Sequence, residues 1–112
     1  MRVNATGSPF GSRARTGSLL ALQAMGESYP RQLARILGLR LAGVQKAIRS
    51  LEADGLVSGR TVGRVRLYRV NPRAYARPEL ERYLERLLDS EPGLRAEIAS
   101  LRRRPRRSGK AL

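Results

Sequence analysis

The sequence predicts a mainly α-helical domain that carries one small β-hairpin. Apolar residues recur at helical spacing in five stretches cut apart by glycine or proline, and one extended run of β-branched residues reverses near Val62-Gly63. A chain of 112 residues has room for a single core with short tails.

Taken in order, residues 1–12 read as a flexible N-terminal segment, because Gly7, Ser8, Pro9 and Gly11 interrupt any period. The first helix is expected to begin near Arg15 or Thr16. Thr16 would accept a hydrogen bond from an orphan amide, Leu19, Leu20, Leu22 and Met25 would face inward, and Gly26 would end the helix. Pro30 suits the first turn of a second helix through Leu33, Ala34 and Leu37, closed by Gly38 after two turns. A third helix runs from Leu41 to Asp54, with Val44, Ile48 and Leu51 on one face and Gly55 just past its end. Leu56-Val57 opens a strand that turns near Val62-Gly63 and returns from Arg64 to Val70, stopped by Asn71-Pro72. Pro78 then starts a helix with Leu80, Tyr83, Leu84, Leu87 and Leu88 along one stripe, and Leu94, Ile98 and Leu101 suggest a fifth helix.

Composition narrows the chemistry. With no cysteine and no histidine there is no disulfide framework, thiolate, imidazole base or ordinary zinc site, so a metal would have to sit on carboxylates alone. No cofactor is expected. A nucleophile–base pair and a glycine-rich phosphate loop are also missing, which argues against an enzyme. Glu79, Glu81 and Glu85, interleaved with arginines, read as helix-surface ion pairs rather than acid–base machinery. No apolar run approaches the roughly 20 residues that span a bilayer, and the start lacks the apolar centre of a secretory signal, so a cytoplasmic, nucleoid-associated protein is expected and no membrane partner.

The net charge is +14, which attracts polyanions over about 8 Å at physiological salt. Residues 102–112, read as a disordered basic tail, hold six of the cations and no acid, leaving +8 on the rest. Nucleic acid is the partner this balance favours; a solvated surface in an arginine-rich chain is the plainer alternative.

The segment Arg31-Gln-Leu-Ala-Arg-Ile-Leu-Gly-Leu-Arg-Leu-Ala-Gly-Val-Gln-Lys-Ala-Ile-Arg-Ser-Leu51 places small Ala34 at a close helix crossing, Gly38 in the turn, and Val44 and Ile48 beneath the following helix. That is the packing pattern of a helix-turn-helix. With Leu51-Glu-Ala-Asp-Gly-Leu-Val57 and a basic hairpin behind it, the chain resembles the winged helix-turn-helix transcriptional regulators, particularly the arsenic-repressor-like (ArsR-like) and multiple-antibiotic-resistance-repressor-like (MarR-like) groups. The resemblance covers roughly Arg13 to Asp89. It implies a dimeric regulator of double-stranded DNA, with a repressor the expected sign, whose third helix enters the major groove while the wing touches adjacent backbone or minor groove. On matching positions the DNA-binding residues would be Ala42, Gly43, Gln45, Lys46 and Arg49, with Arg40 at the helix mouth and Arg60, Arg64 and Arg66 on the wing. The domain would span residues 13–75, and 76–101 would form a helical dimerisation extension.

Independently of the resemblance, burying Val44, Ile48 and Leu51 turns Gln45, Lys46 and Arg49 away from the core. Glutamine can pair with adenine, and arginine or lysine with guanine; on position alone, ordinary solvated helix charges fit equally well. Arg60, Arg64, Arg66 and Arg69 crowd a hairpin with no acid between Val57 and Val70. Strand alternation puts Arg64 and Arg66 on the side of Tyr68 and Val70, so if those two are core residues the arginines must leave near the tip. The metal-sensing histidines and cysteines of some relatives are absent, and so is the usual Ser or Thr cap before the third helix, a loss of about 1 kcal/mol. Leu80, Tyr83, Leu84, Leu87 and Leu88, extended by Leu94, Ile98 and Leu101, offer more apolar surface than so small a body is expected to bury, which predicts a two-fold dimer through the C-terminal helices. Such symmetry would suit half-sites near 34 Å apart. Winged domains that dock proteins or bind RNA are the competing classes; scarce aromatics weigh against RNA.

Overall fold

The computed structural model describes residues 8–103, the side chains as far as residue 101. Five helices, α1 (Arg13–Met25), α2 (Pro30–Leu37), α3 (Leu41–Ala53), α4 (Arg77–Asp89) and α5 (Pro92–Arg103), surround one core, and strands β1 (Val57–Val62) and β2 (Val65–Val70) form an antiparallel hairpin between α3 and α4.

Helix α1 starts two or three residues before the expected Arg15 or Thr16. Ser12 is its cap, accepting from the Arg15 amide at 3.0 Å. Thr16 is buried, and its hydroxyl oxygen accepts from the Phe10 amide instead. The Arg15 side chain donates to the Phe10 carbonyl as well, and Phe10 packs on the core. Residues 8–12 are therefore tied to the body, contrary to a flexible 1–12 segment; residues 1–7 lie outside the described residues.

From α2 onward the expected punctuation is found. Pro30 opens α2, Gly38 closes it with a left-handed φ of 67°, and Arg40 precedes α3 with no side-chain cap. The hairpin pairs Val57 with Val70, Gly59 with Tyr68 and Val62 with Val65, leaving Gly63 and Arg64 as a two-residue turn. Gly63 has φ +62°, the positive value a tight hairpin needs at its first central position to match the strands' twist. Tyr68 also exchanges backbone hydrogen bonds with Ser28, at 3.0 and 2.7 Å, which ties the hairpin to the α1–α2 loop.

The core contradicts the expected dimer stripe. Leu84, Leu88 and Leu94 are fully buried, and Ile98 is nearly so, in the same cluster as Leu19, Leu33, Ile48 and Leu51. Helices α4 and α5 pack on α1, so residues 76–101 complete the domain rather than extend from it. Helix α1 is buried along most of its length and needs cover on several sides, and the apolar faces of α4 and α5 supply part of it. Leu80 and Leu87 are partly buried, and Tyr83 is about half exposed beside Phe10, the ring centroids 5.8 Å apart. The three acids are ion-paired, but only Arg77–Glu81 has the i, i+4 spacing: Arg82 meets Glu79 at i, i+3, and Arg95 reaches Glu85 from α5. Among the described residues no helix is long and apolar enough to cross a membrane, and no acidic group is arranged to hold a metal. The basic tail, beyond the helical backbone of 102 and 103, lies outside the described residues.

Candidate nucleic-acid interface

Helix α3 has two faces, dictated by its sequence. Val44, Ile48 and Leu51 have no exposed surface, and Ala47 is buried beside them, where α3 crosses α1 and α2. Everything a quarter-turn or more away must then face out. Ala42, Gly43, Gln45, Lys46 and Arg49 are all exposed, as is Arg40 at the helix mouth. The alanine and glycine make the first turn slender, so another surface can approach its backbone closely. Lys46, Arg49 and Arg40 have no ion-pair partner among the described residues. An unpaired cation keeps its full attraction for an external anion.

A groove separates α3 from the hairpin, lined by Gln45 and Arg49 from α3, Arg64 to Arg66 from the wing, and Tyr29, Pro30 and Arg31 from the start of α2. Four expected site residues, Gln45, Arg49, Arg64 and Arg66, thus border one concavity. Tyr29 and Arg31 were missed, because nothing in their local sequence says that the start of α2 faces the wing.

The four hairpin arginines are not equivalent. Arg64 sits in the turn, exposed, and neither it nor Arg69 has an ion-pair partner among the described residues. Arg60 instead makes a two-pronged contact with Glu27, at 2.8 and 2.9 Å. The hydrogen bond from Arg60 holds the Glu27 carboxyl below its ordinary value, outweighing the opposing effect of desolvation, and the charges of Arg60 and Arg69 add to the lowering. Arg66 bonds Glu52 of α3 at 3.0 Å and lies over the Tyr68 ring, 5.5 Å from its centroid. Glu52 first, and Tyr68 after it, favour its charged form. Arg60 and Arg66, expected as free wing charges, are therefore already engaged. The hairpin itself holds no acid, and the partners come from 33 and 14 residues away.

The expected dimerisation residues do not form one exposed patch. Leu84 and Leu88 are interior, and of the five only Leu80, Tyr83 and Leu87 retain exposed surface.

No protein-family model and no curated protein matches the chain. Solved structures do. A possible transcriptional regulatory protein from Mycobacterium bovis, a fragment of residues 1–100, is 24% identical with a TM-score of 0.55, over 76% of this chain and 88% of that one. A variant of Lactococcus lactis ZitR in the apo form is 23% identical with a TM-score of 0.53, over 81% of this chain and 67% of that one. At such identities the likeness is one of fold. Helices α1 to α3, a hairpin held to the α1–α2 loop, and two covering helices form a winged helix-turn-helix, the fold that the sequence resemblance implied.

Proposed function

We propose that this chain is a DNA-binding transcriptional regulator of the ArsR-like kind that lays α3 in the major groove of duplex DNA and sets the Arg64 turn on neighbouring backbone or minor groove. One observation carries the reading: Gln45, Lys46 and Arg49 project together from the outer face of a helix whose inner face is fully buried, and Arg64 borders the same groove. Charge placement adds to it. Residues 13–73 hold twelve cations against three acids, whereas 77–101 hold four against six, so within residues 13–101 the positive charge lies on the helix-turn-helix half, and residues 102–112 add six further cations.

Arginine can read guanine and glutamine adenine, while Lys46 and Arg40 are placed for phosphates. Repression would follow if the occupied site overlaps a promoter. The test is a mobility-shift titration of random-sequence duplex across a salt series. Six to ten phosphate contacts give a log–log slope of roughly −5 to −9, and Arg49→Glu should weaken binding strongly at every salt concentration. A slope near zero, or equal affinity for single-stranded RNA, overturns the reading.

Symmetric half-sites call for two copies, and we propose a homodimer through the surface left on α4, centred on Tyr83 and flanked by Leu80 and Leu87. Sedimentation of the parent and of Tyr83→Arg checks it: the parent should be dimeric and the variant monomeric. Two identical profiles would contradict it.

A further inference from the structure

Glu27 and Glu52 are two of only three acids in residues 13–73, and each is bonded to a hairpin arginine. The two arginines lie on opposite faces of the ribbon. Arg66 shares the inner face with Val57, Tyr68 and Val70, and its cross-strand neighbour there is Thr61, whose hydroxyl accepts from it at 3.3 Å. Arg60 lies on the outer face, opposite Leu67, and reaches Glu27 in the α1–α2 loop. One contact joins the wing to α3 and the other joins it to the α1–α2 loop.

The Arg66 position is built rather than incidental. Its guanidinium is held by a carboxylate on one side and an aromatic ring on another. Gly59, paired with Tyr68, leaves the space: a Cβ there would stand 2.8 Å from the ring and 3.0 Å from the guanidinium carbon. A side chain at residue 59 would displace one or both.

From this arrangement we infer that Arg60 and Arg66 are positioning residues: with Glu27 and Glu52 they brace the hairpin against the α1–α2 loop and against α3, so that Arg64 meets DNA at a fixed distance from Arg49. They are not themselves phosphate contacts. A surface ion pair alone contributes little to stability, so the role is one of angle. A wing free to swing samples many Arg64–Arg49 separations, and only some fit a groove. The inference rests on the DNA-binding reading for its purpose, while the brace is a property of the free protein.

Because the chain has no cysteine, labels can be placed cleanly. Spin labels on Ala53→Cys in α3 and Val62→Cys near the turn report the wing's position by electron–electron distance measurement without DNA. The parent should give one narrow distribution, Arg66→Ala and Glu52→Gln should each broaden it, and the swapped pair Glu52→Arg with Arg66→Glu should restore it. Salt titration on a random-sequence 30-base-pair duplex gives a second readout. Arg64→Ala should flatten the log–log slope by about 1, the value of one lost phosphate contact, while Arg66→Ala and Arg60→Ala leave it unchanged. On a duplex selected from a random pool with the parent protein, Arg66→Ala should bind at least tenfold more weakly, with the swapped pair recovering most of the loss. A distribution that stays narrow in Arg66→Ala, or a slope that falls by about 1, overturns the brace. A parent that ignores duplex altogether defeats the DNA-binding reading instead, and the label distances still decide the brace.

Discussion

Side chains of one type do different work here according to what stands beside them. Among the hairpin arginines, Arg64 faces solvent, Arg60 is held by Glu27, and Arg66 is held by Glu52 and Tyr68. Gly59→Ala forces a methyl against Tyr68, an overpacking that typically costs about 1–3 kcal/mol, so its urea midpoint should fall below that of the parent; an unchanged midpoint would mean the ring moves aside freely. Glu27 has a folded pKa below its unfolded value, so what its contact adds to stability is complete at pH above the ordinary glutamate range and is lost as pH falls through the depressed value. Glu27→Gln should therefore be less stable than the parent at neutral pH and converge on it in acid, as read from urea midpoints across a pH series. A deficit that persists undiminished in acid contradicts the assignment.

The elements follow from short-range signals, and their partners do not. Pro30, Gly38, Gly55 and Gly63 marked the ends of α2, the end of α3 and the hairpin turn correctly, because each acts through its own backbone. Exposure of Gln45, Lys46 and Arg49 was legible too, since helical period fixes the outer face once the inner one is apolar. Three things were not legible. Ser12 displaced Thr16 as the cap of α1 because Thr16 is drawn inward to the Phe10 amide. Leu84, Leu88, Leu94 and Ile98 were expected to face a partner, but tertiary packing buries them against α1 and its neighbours. The acids that hold Arg60 and Arg66 lie on other elements, so no local window contains them. The two-faced character of α3 yields a paired expectation. Ile48→Ala should lose about 2–5 kcal/mol of stability by opening a cavity, whereas Lys46→Ala should stay within about 0.5 kcal/mol of the parent and weaken duplex binding. Calorimetry and mobility shift on the same two variants check both halves, and a Lys46→Ala protein with undiminished binding would take Lys46 off the interface.

At the scale of the whole molecule the charge is divided. The helix-turn-helix half is strongly basic and residues 77–101 are slightly acidic, with ion pairs within α4 and between α4 and α5 and a hydrogen bond from Gln23 of α1 to Glu85, while residues 102–112 are basic again. Within residues 13–101 this division favours the approach of a polyanion from the side of α3 and the wing. The covering helices do structural work: they close the core from which α3 projects, and they leave only a small apolar surface for a second copy. An amide chemical-shift map of the isotope-labelled protein titrated with a random-sequence duplex tests directly whether α3 and the hairpin turn meet DNA. The shifts should concentrate at residues 40–49 and 63–65 and leave 77–101 nearly untouched. A map centred on α4 and α5, or one that spares α3, would take α3 out of the DNA interface.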